Sequence, residues 1–100
     1  MNMERECGVT KALRLIGAKW TLNIIYVLCE STKRFGEIQK NLPGISPRTL
    51  SHRLQQLEID GIVHKKIYAQ VPPRVEYSLT TKGASLKEII NILDVWGQKQ

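Results

Sequence analysis

Arg48, Thr49, Ser51, His52 and Gln55 lie close together in a stretch that carries hydrogen-bond donors and acceptors but little acid. The chemistry open to such a set is recognition of polar edges, and the base edges in a DNA major groove present the donors and acceptors it needs. The plainer alternative is an ordinary solvated helix face, since amphipathic helices expose polar residues by default. Arg34, Arg53, Lys65, Lys66 and Arg74 add cations suited to phosphate, the contact that positions a protein on a duplex without reading sequence. Catalysis has no comparable set. Cys7, Cys29, His52 and His64 come with no paired base, Gly-rich phosphate loop or carboxylate constellation, so no enzyme is expected. Their spacing matches no zinc site, and neither a metal nor a cofactor is expected.

The polar set must be held by a helix, and the local sequence supplies one. Leu42-Pro43-Gly44-Ile45 joins a residue that cannot extend a helix to one that tolerates positive φ, so a preceding helix stops there. Ser46 can cap the amides of a new helix, and Pro47 suits its first position. Leu50, Leu54 and Leu57 then form one buried stripe at helical spacing, with Arg48, His52 and Gln55 opposite. Before the turn, Phe35, Ile38 and Leu42 face one way from a brief helix whose outer side carries Lys33, Arg34 and Lys40. After it, Gly61 marks the stop. Val63 to Tyr68 alternates at strand period, Val75, Tyr77 and Leu79 answer it, and Gln70-Val71-Pro72-Pro73-Arg74 is a stiffened loop between them. A plain surface hairpin is the alternative there; Lys65, Lys66 and Arg74 favour a wing that faces phosphate. The fold expected is mainly α with a small β-hairpin wing, a winged helix-turn-helix that dimerises through its terminal helices.

Other segments complete one small core, and residues 1–100 are expected to form one domain. Val9, Ala12, Leu13 and Ile16 predict a short helix from about Gly8 to Leu15, ending near Gly17. Trp20 to Cys29 is apolar almost all round and suits a central helix. A last helix is expected from Thr80 or Thr81 to about Trp96, with Leu86, Ile89, Ile90, Leu93 and Trp96 on one stripe and Ile92 and Val95 off it. Apolar residues on more than one side leave surface for a second chain, so Val9, Leu13, Ile89, Ile92, Leu93, Val95 and Trp96 are the candidate dimer interface. The alternative is a wider single-chain core. The 100 residues carry a net charge of +6, with a sequence pI near 9.6, which suits polyanions. No stretch approaches a membrane span, and the N-terminus, with Glu4, Arg5 and Glu6, lacks a signal-peptide core, so a cytoplasmic protein with no membrane partner is expected.

Four separated motifs, Ile16-Gly17-Ala18-Lys19-Trp20, Arg34-Phe35-Gly36-Glu37-Ile38, Leu42-Pro43-Gly44-Ile45-Ser46-Pro47 and Val71-Pro72-Pro73-Arg74-Val75-Glu76-Tyr77-Ser78-Leu79-Thr80, together resemble the HxlR-type bacterial transcriptional regulators. The resemblance spans nearly the whole chain. It implies a dimeric winged-helix DNA-binding protein, related in architecture to MarR-type regulators, with its recognition helix at Ser46 to Asp60, its wing at about Tyr68 to Val75 and dimerisation through the terminal helices. Ala18 departs from the pattern, where the family often has a second glycine, and is expected still to fit a helix start. Some members of the family sense oxidants or electrophiles through a cysteine ahead of the first helix, the place of Cys7 here; an inert N-terminal thiol is the alternative. Cys29, on the apolar helix, reads as a small core residue.

These readings converge on a sequence-specific regulator, with double-stranded DNA and a second copy of the chain as partners and an unidentified small molecule or oxidant as a candidate inducer. Repression of an inverted-repeat operator is the simplest mode, because a small dimer without a recruitment domain can occlude a promoter. A thiol-responsive version of the same regulator and a winged-helix module that binds protein without reading DNA are the alternatives.

Overall fold

The Pro-Gly turn and the serine cap do what their chemistry dictates. In the computed structural model, which describes residues 7–100, Gly44 stands at φ +96°. Ser46 then caps the helix that follows by accepting the Thr49 amide at 3.1 Å, with Pro47 in the first turn. In chain order the elements are α1 (Gly8–Ile16), α2 (Thr21–Glu30), α3 (Phe35–Asn41), α4 (Pro47–Ile59), β1 (Val63–Tyr68), β2 (Arg74–Leu79), α5 (Thr81–Ala84) and α6 (Lys87–Gln98). Helix α4 thus occupies the expected span, with Ser46 and Asp60 as its caps. Its stripe of Leu50, Leu54 and Leu57 is buried among Ile24 and Ile25 of α2, Ile38 of α3, and Ile62 and Val63. Removing several large aliphatic side chains from water on one seam is the main force that fixes α4 relative to the rest.

The strands pair antiparallel, from Val63 opposite Leu79 to Tyr68 opposite Arg74. Lys33 adds a one-residue antiparallel bridge to β2: its amide donates to the Tyr77 carbonyl at 3.0 Å and its carbonyl accepts the Tyr77 amide at 2.8 Å. The hairpin is thereby fastened to the α2–α3 connection as well as to α4. Arg74, read from the sequence as the end of the loop, is the first residue of β2.

Three expectations are corrected. The terminal helix is broken: α5 ends at Ala84, Ser85 and Leu86 form a tighter turn, and α6 starts at Lys87. Ser85 turns its hydroxyl onto the Lys82 carbonyl, and the Leu86 amide takes the Gly83 carbonyl at 3.0 Å, three residues back. A hydroxyl competing for backbone acceptors tightens a helix into such a turn. Second, α2 starts at Thr21, after Trp20 at φ +80°, and Ala18 belongs to the connecting turn instead of a helix start. Third, α2 is not covered all round, because Asn23, Tyr26 and Glu30 share an exposed side.

Candidate nucleic-acid interface

The polar face of α4 is where the sequence places it. Arg48, Ser51, His52 and Gln55 are exposed, while the leucines on the other side are at most 1% accessible. Thr49 is half-buried and occupied: its amide and hydroxyl both meet the Ser46 hydroxyl, the latter pair at 2.9 Å. It serves the helix start first and a ligand second.

Strand alternation divides the hairpin cations. Lys65 shares the inner face with Val63 and Tyr77. There it meets α4 at a cleft of about 280 Å3 lined by Ser51, Leu54, Gln55, Glu58, Lys65 and Tyr77. Burial, with Glu58 nearby, pushes the Tyr77 phenol up, so it stays a neutral hydroxyl. Lys66 and Arg74 stand on the outer face, away from that cleft. Glu58 was absent from the site residues expected from the sequence. Its place one turn beyond Gln55 on α4 was legible there, but its proximity to Lys65 required the hairpin to fold back.

The remaining expected phosphate ligands differ in freedom. Arg34 is exposed at the start of α3, where its backbone amide is accepted by Glu37 Oε1 at 2.8 Å. Arg53, half-buried, donates from Nε to the Lys19 carbonyl at 2.8 Å. That bond ties α4 to the α1–α2 turn, where the Lys19 ammonium also lies 5.8 Å from the centre of the Trp20 ring. Arg53 is therefore first a strut of the scaffold.

Cys7 caps α1. Its sulfur accepts the Thr10 amide at 3.4 Å and lies 3.2 Å from the Thr10 hydroxyl. These contacts, the side-chain one foremost, hold the exposed thiol below its ordinary range. Cys29 is shifted the other way, pushed up by burial despite Lys87 nearby. The charges of Glu4, Arg5 and Glu6 that flank Cys7 in sequence lie outside the described residues. Because the thiolate is the nucleophile, iodoacetamide is expected to label Cys7 before Cys29 near neutral pH. Thr10→Val should move the midpoint of the Cys7 pH–rate profile upward, as the stabilised thiolate loses its main donor. Mass spectrometry of the labelled peptides checks both; equal labelling rates would contradict the assignment.

A short helix, a tight turn, a solvent-facing second helix and a cationic hairpin define the winged helix-turn-helix class of DNA-binding transcriptional regulators. Within that class the chain belongs to the HxlR-like helix-turn-helix family, whose model matches residues 15–100. It is 44% identical over 93 residues to the uncharacterised HTH-type transcriptional regulator YdeP of Bacillus subtilis strain 168, covering 93% of this chain and 73% of that one. Among solved structures, a protein assigned to the MarR family from Porphyromonas gingivalis W83 superposes with TM-score 0.93 at 38% identity, over 100% of this chain and 98% of that one. The redox regulator HypR in its oxidised form does so with TM-score 0.90 at 42% identity, over 94% and 97%. These relatives are regulators and not enzymes. No single helix among the described residues is long and apolar enough to cross a membrane.

Proposed function

We propose that residues 1–100 act as one DNA-binding unit, a cytoplasmic homodimeric repressor that sits on an inverted-repeat operator with α4 in the major groove and the hairpin on the backbone. The observation that carries this reading is the two-sided build of α4. Its leucines are locked in the core while Arg48, Ser51, His52 and Gln55 face solvent, with Lys65 beside them. Arg48, Thr49, Ser51, His52 and Gln55 are assigned to base edges, and Arg34, Arg53, Lys65, Lys66 and Arg74 to phosphate. The dimer is supported by Val9 and Leu13 on α1 and Ile89, Ile92, Leu93, Val95 and Trp96 on α6, all left at least 45% exposed. A set of large apolar side chains in water marks a surface for another chain. Two-fold symmetry then sets the half-sites about one helical turn, or a multiple, apart.

A thiol-responsive form of this regulator is favoured by one observation, the exposed Cys7 sulfur held towards thiolate at the start of α1. The likeness to HypR, itself named a redox regulator, agrees with it.

Selection of bound duplexes from a random pool tests both readings. Under reducing conditions an inverted repeat is expected. His52→Ala and Gln55→Ala should then relax base preference at particular positions, each by about 1–3 kcal/mol of discrimination, while the phosphate-binding cations affect all sequences alike. Equal losses on every sequence for both classes would refute the division of roles. Loss of the repeat on mild oxidation, restored by Cys7→Ser, would establish the thiol response; unchanged recovery would remove it. No enrichment at low salt would sink the DNA reading.

A further inference from the structure

The outer face of the hairpin gathers four side chains around one ring. Lys66 stands opposite Glu76 and Tyr68 opposite Arg74, so strand alternation sends all four to the same side. The Arg74 guanidinium carbon is 4.2 Å and the Lys66 ammonium 4.9 Å from the centre of the Tyr68 ring. The Tyr68 hydroxyl donates to Glu76 Oε1 at 3.0 Å, and Arg74 Nε lies 3.4 Å from Glu76 Oε2. The Arg74 side chain is 34% exposed, and its buried Nε makes no hydrogen bond, so Glu76 meets it as an ion-pair neighbour only. Stacking on an aromatic face and the charge of a neighbouring carboxylate both restrict an arginine, and an ion-pair contact on the Nε side leaves the terminal amino groups of the guanidinium fork for a second acceptor. Two cations converge where one carboxylate stands, so the cluster keeps a net positive charge.

We propose that Tyr68 and Glu76 are positioning residues, which fix Arg74 for the phosphate contact assigned above to it and to Lys66. The proposal rests on the DNA-binding reading above and assigns Glu76 a role opposite to the one its charge suggests. By charge alone, an acid beside a phosphate weakens binding, and removing it should tighten the complex. As a positioning residue, its removal should loosen the complex, because Arg74 loses the carboxylate whose charge keeps it over the Tyr68 ring.

The test measures affinity of the full chain for its selected operator as a function of salt, with thermal melts confirming that each variant is folded. Arg74→Ala is expected to weaken binding about tenfold. It should also lower the salt slope by about one for each phosphate that the protein no longer neutralises. Glu76→Ala should weaken binding in the same direction and lower the slope, although it removes a negative charge. Tyr68→Phe, which keeps the ring and loses only the hydroxyl, should fall between wild type and Glu76→Ala. The double variant Arg74→Ala with Glu76→Ala should bind no more weakly than Arg74→Ala. Should Glu76→Ala fail to fold, Glu76→Gln keeps the shape without the charge and must still loosen the complex. Equal or tighter binding by the folded Glu76 variant, or additive losses in the double variant, would overturn the proposal. Wild-type behaviour of the Arg74 and Glu76 variants on a confirmed operator would sink this assignment alone, whereas failure of the wild-type chain to select any DNA would remove the functional reading and this proposal together.

Discussion

Raising the salt from about 50 to about 200 mM is expected to weaken binding to the proposed operator by about a thousand- to a hundred-thousand-fold, given about 6 to 10 phosphates neutralised by the proposed dimer. The magnitude follows from counterion release: each phosphate neutralised by a lysine or arginine frees ions whose return becomes favourable as salt rises. The chain has the charge for it, +6 per copy. Its placement on the described residues is also favourable, with Arg48 exposed on α4, Arg34 at the start of α3, Lys65 in the cleft beside α4 and Lys66 on the hairpin. Two of the expected ligands already have protein partners, Arg53 at the Lys19 carbonyl and Arg74 at Glu76. Arg53, held as a strut, sets the slope toward the lower end of that range, whereas the contact with Glu76 leaves Arg74 able to meet phosphate. A titration by fluorescence anisotropy at several salt concentrations measures it. A shallow dependence would mean that the cations do not face DNA, and would count against the whole arrangement of α4 and hairpin.

Gly83→Ala is expected to cost about 2–4 kcal/mol of folding stability, a large share of the roughly 5–15 kcal/mol that holds a small domain together. A Cβ at Gly83 would collide with the Ile62 carbonyl oxygen and lie 3.1 Å from Leu79 Cδ2. The obstacle is backbone, so no rotamer change relieves it. Nor can the backbone retreat freely. The Thr80 amide and hydroxyl both reach the Ile62 carbonyl, at 3.0 and 3.1 Å, and the Gly83 amide donates to the Thr80 hydroxyl at 3.1 Å. Lys82 also spans to the Asp60 carbonyl at 2.8 Å. This joint fastens the end of α4 to α5, so damage there should loosen α4 as well as lower the melting temperature, by about 10–25 °C for a chain of this size. Gly36→Ala is the control: a Cβ there meets nothing within 4 Å. In a helix, that change is expected to be neutral or stabilising by up to about 1 kcal/mol. Similar melting temperatures for the two variants would show that the close approach at Gly83 is not a constraint.

Much of the candidate site was legible before folding because its signals are local. A proline and a glycine next to a capping serine stop one helix and start another within a few residues, whatever the rest of the chain does. The leucines at helical spacing then determine which side of α4 is buried, and so which of Arg48, His52 and Gln55 can face a ligand. Alternation did the same for the hairpin, down to the separation of Lys65 from Lys66. The exposed apolar set on α1 and α6 was foreseeable too, since more large side chains were offered than one small core can cover.

What the residues alone could not decide were the partners supplied by distant segments. Arg53 reads as a free cation until the α1–α2 turn, 34 residues away, brings the Lys19 carbonyl to it. Arg74 reads as a loop cation until strand pairing sets it over Tyr68 and beside Glu76. The terminal helix reads as continuous, since its apolar spacing carries no trace of the Ser85 hydroxyl turning onto the Lys82 carbonyl or of Gly83 lying against Ile62. By itself the sequence determined the elements, their faces and the family motif, because capping, turn chemistry and periodicity act within a few residues. Only the tertiary structure decided which cations are free and which are struts, because a long side chain takes its partner from whatever packing brings within about 3 Å of it.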